Sequence, residues 1–219
     1  MTMHKGGGHQ DRETERARRI WDKLAPKYDR QVRFVERVLF EGGREWVCSR
    51  AAGDVLEIAI GTGRNLPHYP RDVRLTGMDL SPQMLEVARE RAQELDRNVD
   101  LRIGDAQVLE LPDQSFDTVL CTLSLCSIPD DRKAVAEIKR VLRPGGRLLL
   151  LEHVRSPNHV VRGFQRILDA VTVRLAGDHL LREPLDHLEV EGFEIETVER
   201  SKWGIVERVA AFKRGRMES

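Results

Sequence analysis

Val55-Leu56-Glu57-Ile58-Ala59-Ile60-Gly61-Thr62-Gly63-Arg64-Asn65-Leu66 is an apolar run that breaks into a Gly-x-Gly turn, and Thr76-Gly77-Met78-Asp79-Leu80 is a second run that ends in a carboxylate. A buried strand, a glycine turn opening a helix, and a second strand ending in an acid together build a nucleotide-type pocket. The spacing selects among nucleotides. A dinucleotide site carries three glycines as G-x-G-x-x-G, the third allowing close helix–strand packing, and here the third place is Leu66. Gly61 and Gly63 still permit close backbone approach, and the N-terminus of the following helix can hold a small anion such as a carboxylate. Asp79 stands near the ~20-residue offset at which an acid takes ribose hydroxyls. The pocket therefore suits an adenosine with a small anionic tail better than a dinucleotide.

Outward from this stretch, apolar strands alternate with amphipathic helices. Strand 55–60 leads to a short helix ending near Pro67, and strand 73–78 leads to a helix from Pro82 to about Asp96. Ser81 is placed to cap that helix, Pro82 to occupy its first turn, and Met84, Leu85, Ala88, Ala92 and Leu95 to form its inward stripe. Strand 99–103, a loop through 111–115, strand 117–123, a helix over 131–142 and strand 147–152 follow. Such alternation predicts a parallel sheet with helices on both faces.

The flanking segments are different in kind. Residues 1–10 read as a flexible tail; His4 and His9 within it are not read as a metal site. Residues 11–30 and 31–47 read as two cap helices ahead of the core, with Pro26 breaking the first near Lys27-Tyr28-Asp29. After His153, Val160, Phe164, Ile167, Leu168, Val171 and Leu175 form a helical stripe over 159–175, which Gly177-Asp178 ends. A helix over 183–191 and a hairpin of 193–200 with 205–213 close the sheet edge, and residues 155–192 read as a helical lid. Residues 11–219 make one domain on this reading.

Lys plus Arg and Asp plus Glu are both 36, so the formal charge is zero and no global field recruits nucleic acid. No apolar run reaches transmembrane length and the polar N-terminus carries no secretory signal, which predicts a cytoplasmic protein without integral membrane association. Cys48, Cys121 and Cys126 form no C-x-x-C pair and read as buried, reduced thiols with no metal assigned.

The glycine turn and Asp79 together with three later stretches resemble the class I methyltransferases that use S-adenosylmethionine (SAM). Gly104-Asp105-Ala106 resembles their adenine-contacting turn, Phe116-Asp117-Thr118-Val119-Leu120-Cys121 their fourth strand, and Arg143-Pro144-Gly145-Gly146-Arg147 their turn into the fifth. Five elements in the family's order over residues 55–151 make the resemblance specific. It implies a Rossmann-like, doubly wound α/β fold: a mostly parallel seven-stranded sheet with an antiparallel final strand and helical caps.

The resemblance also implies the cofactor, SAM, and its site. Glu57, Gly61, Gly63, Asn65 and Thr122 are expected around its methionine end, Asp79 and Leu80 at the ribose, and Met84, Asp105 and Ala106 at the adenine, with Tyr28 covering the sulfonium from the N-terminal cap. Each has a plainer alternative: Met84 as core, Asp105 as a turn cap, and Glu57 as a buried carboxylate bonded to nearby backbone. Asp117 is assigned to structure.

Methyl transfer from a sulfonium needs orientation above all, and a base only where the acceptor must lose a proton. His153, directly after the fifth strand, is the candidate catalytic residue, as base or substrate contact. His179 and His187 read as surface or cap residues. Trp21, Phe34, Phe40 and Phe164 in the flanking helices suggest a small, partly apolar acceptor. Tyr28-Asp29 resembles the ubiquinone and menaquinone methyltransferase group. Leu123-Ser124-Leu125-Cys126-Ser127-Ile128, Leu151-Glu152-His153-Val154 and Gly177-Asp178 are similar to the thiol S-methyltransferases, and related sequences methylate phosphatidylethanolamine. A thiol, a quinol or phenol, and an amine therefore stay open as acceptors, with the chain a monomer or homodimer. A non-catalytic SAM-binding partner and an NAD-dependent oxidoreductase are the alternatives, the latter opposed by Leu66 and by Gly104-Asp105-Ala106.

Overall fold

The computed structural model of the chain describes residues 7–215. Its seven strands are β1 (Asp54–Ile58), β2 (Arg74–Asp79), β3 (Val99–Ile103), β4 (Phe116–Thr122), β5 (Leu142–His153), β6 (Phe193–Ser201) and β7 (Val206–Lys213). They form one sheet in the order β3-β2-β1-β4-β5-β7-β6. Pairings from β3 to β5 are parallel, and β7 runs antiparallel between β5 and β6. The hairpin therefore inserts its second strand into the sheet and leaves β6 at the edge. Strand order reverses between β1 and β4, which places a crevice at the carboxyl ends of these strands.

Central strands are apolar on both faces because helices cover both. On one face Leu56, Ile58, Val119, Cys121, Leu148 and Leu150 pack with Ala134, Val135, Ile138 and Val141 of α4 (Asp131–Val141) and with Leu188 of α6 (Pro184–Val190). On the other, Val55, Leu75, Leu120, Leu149 and Leu151 meet Val47 and Cys48 of α2 (Gly43–Cys48) and Leu85 and Ala92 of α3 (Pro82–Glu94). Ser81 caps α3 as its position in the sequence predicts, its Oγ accepting from the Met84 amide at 3.1 Å.

Three expectations need correction. Gly7 to Gln10 are helical, and only residues 1–6 of the expected tail, His4 among them, lie outside the described residues. α1 runs unbroken over Gly7–Leu39 with Pro26 inside it, instead of breaking at Lys27. Pro in a helix interior costs about 3 kcal/mol, but α1 is anchored on both sides of it. Before the proline, Asp22 Oδ1 accepts from Ser81 Oγ at 2.6 Å; after it, Asp29 Oδ1 accepts from Thr62 Oγ1 at 2.7 Å and pairs with Arg91. Finally, α5 (His159–Ala176), read as part of a lid that offers Phe164 and its aliphatic stripe to an acceptor, turns that stripe to solvent: Val160, Phe164, Ile167, Leu168 and Val171 are all exposed. Helical periodicity shows that one face is apolar, not which way it points. No helix among the described residues is long and apolar enough to cross a membrane.

Candidate active site

At the strand ends a crevice encloses about 690 Å³ of space, its open mouth included. The floor comes from Ile58, Ala59 and Gly61 at the end of β1, and from Met78, Asp79 and Leu80 at the end of β2. Gly104, Asp105 and Ala106 follow β3, and Leu123, Ser124, Ser127, Ile128 and Pro129 follow β4. Met84 of α3 closes one side, and Ala17, Trp21 and Tyr28 of α1 form the roof. The Trp21 and Tyr28 rings meet edge to face, 6.0 Å between centroids and 80° between planes.

Backbone strain gathers where the two central strands enter the crevice. Ala59 after β1 and Leu123 after β4 both hold left-handed φ, 51° and 53°, although neither is glycine. Such residues cost on the order of 1 kcal/mol or more and persist only where their surroundings fix them. Leu123 donates its N–H to the Leu151 carbonyl at 2.7 Å. The next two amides, of Ser124 and Leu125, both donate to Glu152 Oε1, at 3.0 and 3.1 Å. Burial pushes Glu152 up to about 7 despite these bonds.

Asp79 is the charged group of the floor. Its Oδ2 accepts from the Gly61 amide and its Oδ1 from the Ser81 amide, each at 2.8 Å. Burial pushes its pKa up to about 6, against the pull of these amides. Gly61 holds φ of 58°, and a Cβ placed there would meet only the Ala59 carbonyl, at 4.0 Å, so the open space on that side belongs to the crevice. Asp105 sits deeper in local contacts: its Oδ1 accepts from the Gln107 amide at 2.9 Å and from Gln107 Nε2 at 2.9 Å. The turn-capping reading of Asp105 therefore holds alongside its place on the wall.

Tyr28, Gly61, Asp79, Leu80, Met84, Asp105 and Ala106 thus share one cavity. The others lie behind it. Glu57 is bonded to side chains, not to backbone: its Oε1 accepts from Asn65 Nδ2 at 2.7 Å and its Oε2 from the Tyr69 hydroxyl at 2.8 Å. Asn65 Nδ2 also donates to Thr122 Oγ1 at 3.0 Å, and Arg44 donates to Asn65 Oδ1 at 2.7 Å. This network, buried apart from the partly exposed Arg44, stiffens the glycine turn from below. Gly63 packs under the turn, its missing Cβ only 2.9 Å from Leu66 Cδ1.

The turn itself departs from expectation. No α-helix follows Gly63; the chain makes successive turns into a 3-10 segment, Leu66–His68, with Pro67 in it. Leu66 is buried at the third-glycine position, where its side chain fills the space that close helix packing would need. A helix N-terminus is therefore not what faces the crevice here. Arg44, Glu36 and Arg64 form the neighbouring charged cluster, with Arg64 donating to Glu36 Oε2 at 2.7 Å. Nothing in the spacing of α1 and α2 residues announces it. Trp21 was legible as a lid aromatic, and Ser124, Ser127 and Ile128 lie in a stretch whose resemblance marks it out.

His153 is not on the cavity wall. It lies beside Cys126 and Asp178, its Nδ1 buried and without a hydrogen-bond partner. Burial lowers its pKa below the usual imidazole value, so the ring is neutral near neutral pH. His187 Nε2 lies 3.2 Å from Asp131 on α4, away from the crevice.

Residues 56–150 match the family model described as a methyltransferase domain. Demethylmenaquinone methyltransferase of Listeria welshimeri is 30% identical over 165 residues, covering 71% of this chain and 69% of that protein. The chain belongs to the SAM-dependent methyltransferase family. Other relatives within it differ in acceptor. A phosphatidylethanolamine N-methyltransferase of Cereibacter sphaeroides is 41% identical over 103 residues, 46% of this chain and 51% of that one. Thiol S-methyltransferase TMT1B of Homo sapiens is 36% identical over 139 residues, 61% of this chain and 56% of that one. The chain thus spans little more than half the length of these two methyltransferases.

The crevice fits the family's cofactor. A buried carboxylate with each oxygen already held by one amide keeps further lone pairs for two vicinal hydroxyls. The side-chain-free cradle at Gly61 admits a ligand against backbone, and Met84, Leu80 and Ala106 offer apolar surface to a flat base. Strand order, cavity and cradle agree with the Rossmann-like class I fold of this family.

Proposed function

We propose that this methyltransferase moves a methyl group from SAM to a small, partly apolar acceptor bearing a thiol, a quinol or phenol, or an amine. SAM, when bound, supplies the methyl group already activated on a sulfonium. Asp79 takes the ribose hydroxyls and Gly61 lets the ligand lie against the turn. Asp105, Ala106, Met84 and Leu80 surround the adenine. Tyr28 and Trp21 cover the sulfonium, where aromatic faces attract a cation. Glu57, Asn65, Gly63 and Thr122 act from behind, by fixing the turn.

The observation that carries the acceptor reading is the composition of the remaining wall. Beyond Asp79 and Asp105 it is made of Ala17, Trp21, Tyr28, Leu123, Ile128 and Pro129 with two serine hydroxyls. Such a wall desolvates an apolar body and leaves a few polar groups to orient it. Among the described residues no further carboxylate and no arginine lies on it to pair with a strongly charged acceptor. Closing the site against water and aligning acceptor with donor supply most of the rate, an effect worth ~7 to 11 kcal/mol in well-aligned systems.

The test is incubation of the full chain with methyl-labelled SAM and a panel of alkyl thiols, hydroquinones, phenols and amino lipids, with products read by mass. Label in one acceptor class selects it. Tight SAM binding with label in none of them would instead support the non-catalytic partner.

A further inference from the structure

Cys126, His153 and Asp178 come from three separate segments: the loop after β4, the end of β5, and the turn after α5. One donor atom of each lies within 4.8 Å of the other two. Cys126 Sγ is already 3.3 Å from Asp178 Oδ1. Cys126 is 2% exposed, and the buried Nδ1 of His153 is left without a partner, an arrangement that costs free energy unless something pairs with the ring. The loop after β4 and the turn after α5 are pinned to one another through backbone carbonyls of the loop. The His179 amide donates to the Cys126 carbonyl at 3.0 Å, and Arg182 donates to the Ile128 carbonyl at 2.6 Å and to that of Leu125. Gly177, with φ of 72°, supplies the left-handed cap that turns the chain so that Asp178 faces the cluster.

We infer that Cys126, His153 and Asp178 form a binding site for a divalent transition-metal ion of the Zn²⁺ type. Thiolate, imidazole and carboxylate together are the mixed donor set that such an ion prefers. Tetrahedral Zn²⁺ with ligand bonds of about 2.0 to 2.3 Å needs donors about 3.3 to 3.8 Å apart. The Cys126–Asp178 separation already meets that value, and the remaining closure is a side-chain adjustment. One thiolate and one carboxylate neutralise the dication, so the site carries no net charge. Binding expels the Cys126 thiol proton to solvent as the metal–sulfur bond forms.

Three protein donors leave a fourth position open, as in sites where a further ligand enters. Ser124, Ser127 and Ile128, in the same loop as Cys126, line the cavity, which sets the cluster beside the crevice. His153 then holds the ion instead of taking a proton. The site itself does not depend on which acceptor is methylated.

The experiment uses the full chain, stripped with a chelator and titrated with Zn²⁺ against a chromophoric competitor, and separately with Co²⁺ by absorption. The expected result is one Zn²⁺ per chain with Kd below about 1 μM and a thiolate-to-cobalt charge-transfer band in the near ultraviolet. Cys126→Ser should abolish the band and weaken Zn²⁺ at least about tenfold, while Cys48→Ser keeps both. Asp178→Asn should keep the band yet weaken Zn²⁺ by a similar factor. Unchanged SAM affinity in each variant confirms that it has folded. No band from the wild-type chain at one equivalent of Co²⁺, or Zn²⁺ affinity equal in wild type and Cys126→Ser, overturns the site. A histidine-only site elsewhere gives no thiolate band and would be read as that second result.

Discussion

Asp79 Oδ2 accepts the Gly61 amide across 2.8 Å, tying the acid at the end of β2 to the glycine turn at the end of β1. The two halves of the nucleotide pocket are thus one hydrogen-bonded unit. Burial holds the Asp79 pKa up to about 6, so the carboxylate proposed to accept the ribose hydroxyls is lost as pH falls through that value. One pH unit below its pKa a carboxylate is only about one-tenth ionised. SAM affinity should therefore fall about tenfold between pH 7.5 and pH 5, and Asp79→Asn should flatten the dependence. Calorimetric titration across that range checks it; an equal slope in the variant would assign the dependence to another group.

The two glycines of the turn should fail in different ways. Gly61→Ala meets no atom nearer than 4.0 Å, so it costs about 1 kcal/mol of left-handed strain but puts a methyl group into the ligand cradle. Gly63→Ala meets Leu66 Cδ1 at 2.9 Å and the Ala88 Cα at 3.3 Å, at φ of 73°. Strain plus overpacking should cost about 2 to 4 kcal/mol. Urea unfolding should rank Gly63→Ala as the less stable variant, and SAM titration of the folded fraction should rank Gly61→Ala as the weaker binder. The reverse order on either measurement contradicts the placement.

Glu57 predicts a pH dependence of stability. Burial holds its folded-state pKa up to about 7, above the ordinary carboxylate value of 4.5. Between these values the folded chain binds more protons than the unfolded chain, so this group makes stability fall as pH rises from about 5 to about 7. Glu57→Gln removes the titration and should lessen that fall by on the order of 3 kcal/mol. Parallel stability curves for the two proteins would show that Glu57 ionises freely in the fold.

Asn65 is the hub of the same network, bonded to Glu57, Thr122 and Arg44. Asn65→Ala leaves buried polar groups without partners and should destabilise by about 2 to 4 kcal/mol. Urea midpoints measure this. A change below about 0.5 kcal/mol would mean that water or a neighbour replaces the amide without loss.

The sheet was legible because its strands are short apolar runs, each followed by turn residues or a capped helix. Ser81 before Pro82 caps as its position in the sequence implies. Pro26 misleads because local rules cannot see Asp22 and Asp29, which hold α1 from either side. The α5 stripe misleads because periodicity carries no direction. Gly61 and Asp79 line the crevice where their spacing set them. Glu57, Asn65 and Thr122, named from the sequence for the same site, instead bond one another behind it, and their charged partner Arg44 comes from another helix. The grouping of Cys126, His153 and Asp178 depends on three segments 25 or more residues apart, which only the fold brings together.

The central claim is that the crevice floored by Asp79 holds SAM, and calorimetric titration of wild type against Asp79→Ala tests it most directly. Loss of charge-assisted bonds to two ribose hydroxyls should cost at least about 2 kcal/mol, a weakening of about thirtyfold or more with the fold intact. Equal SAM affinity in the two proteins would contradict the account.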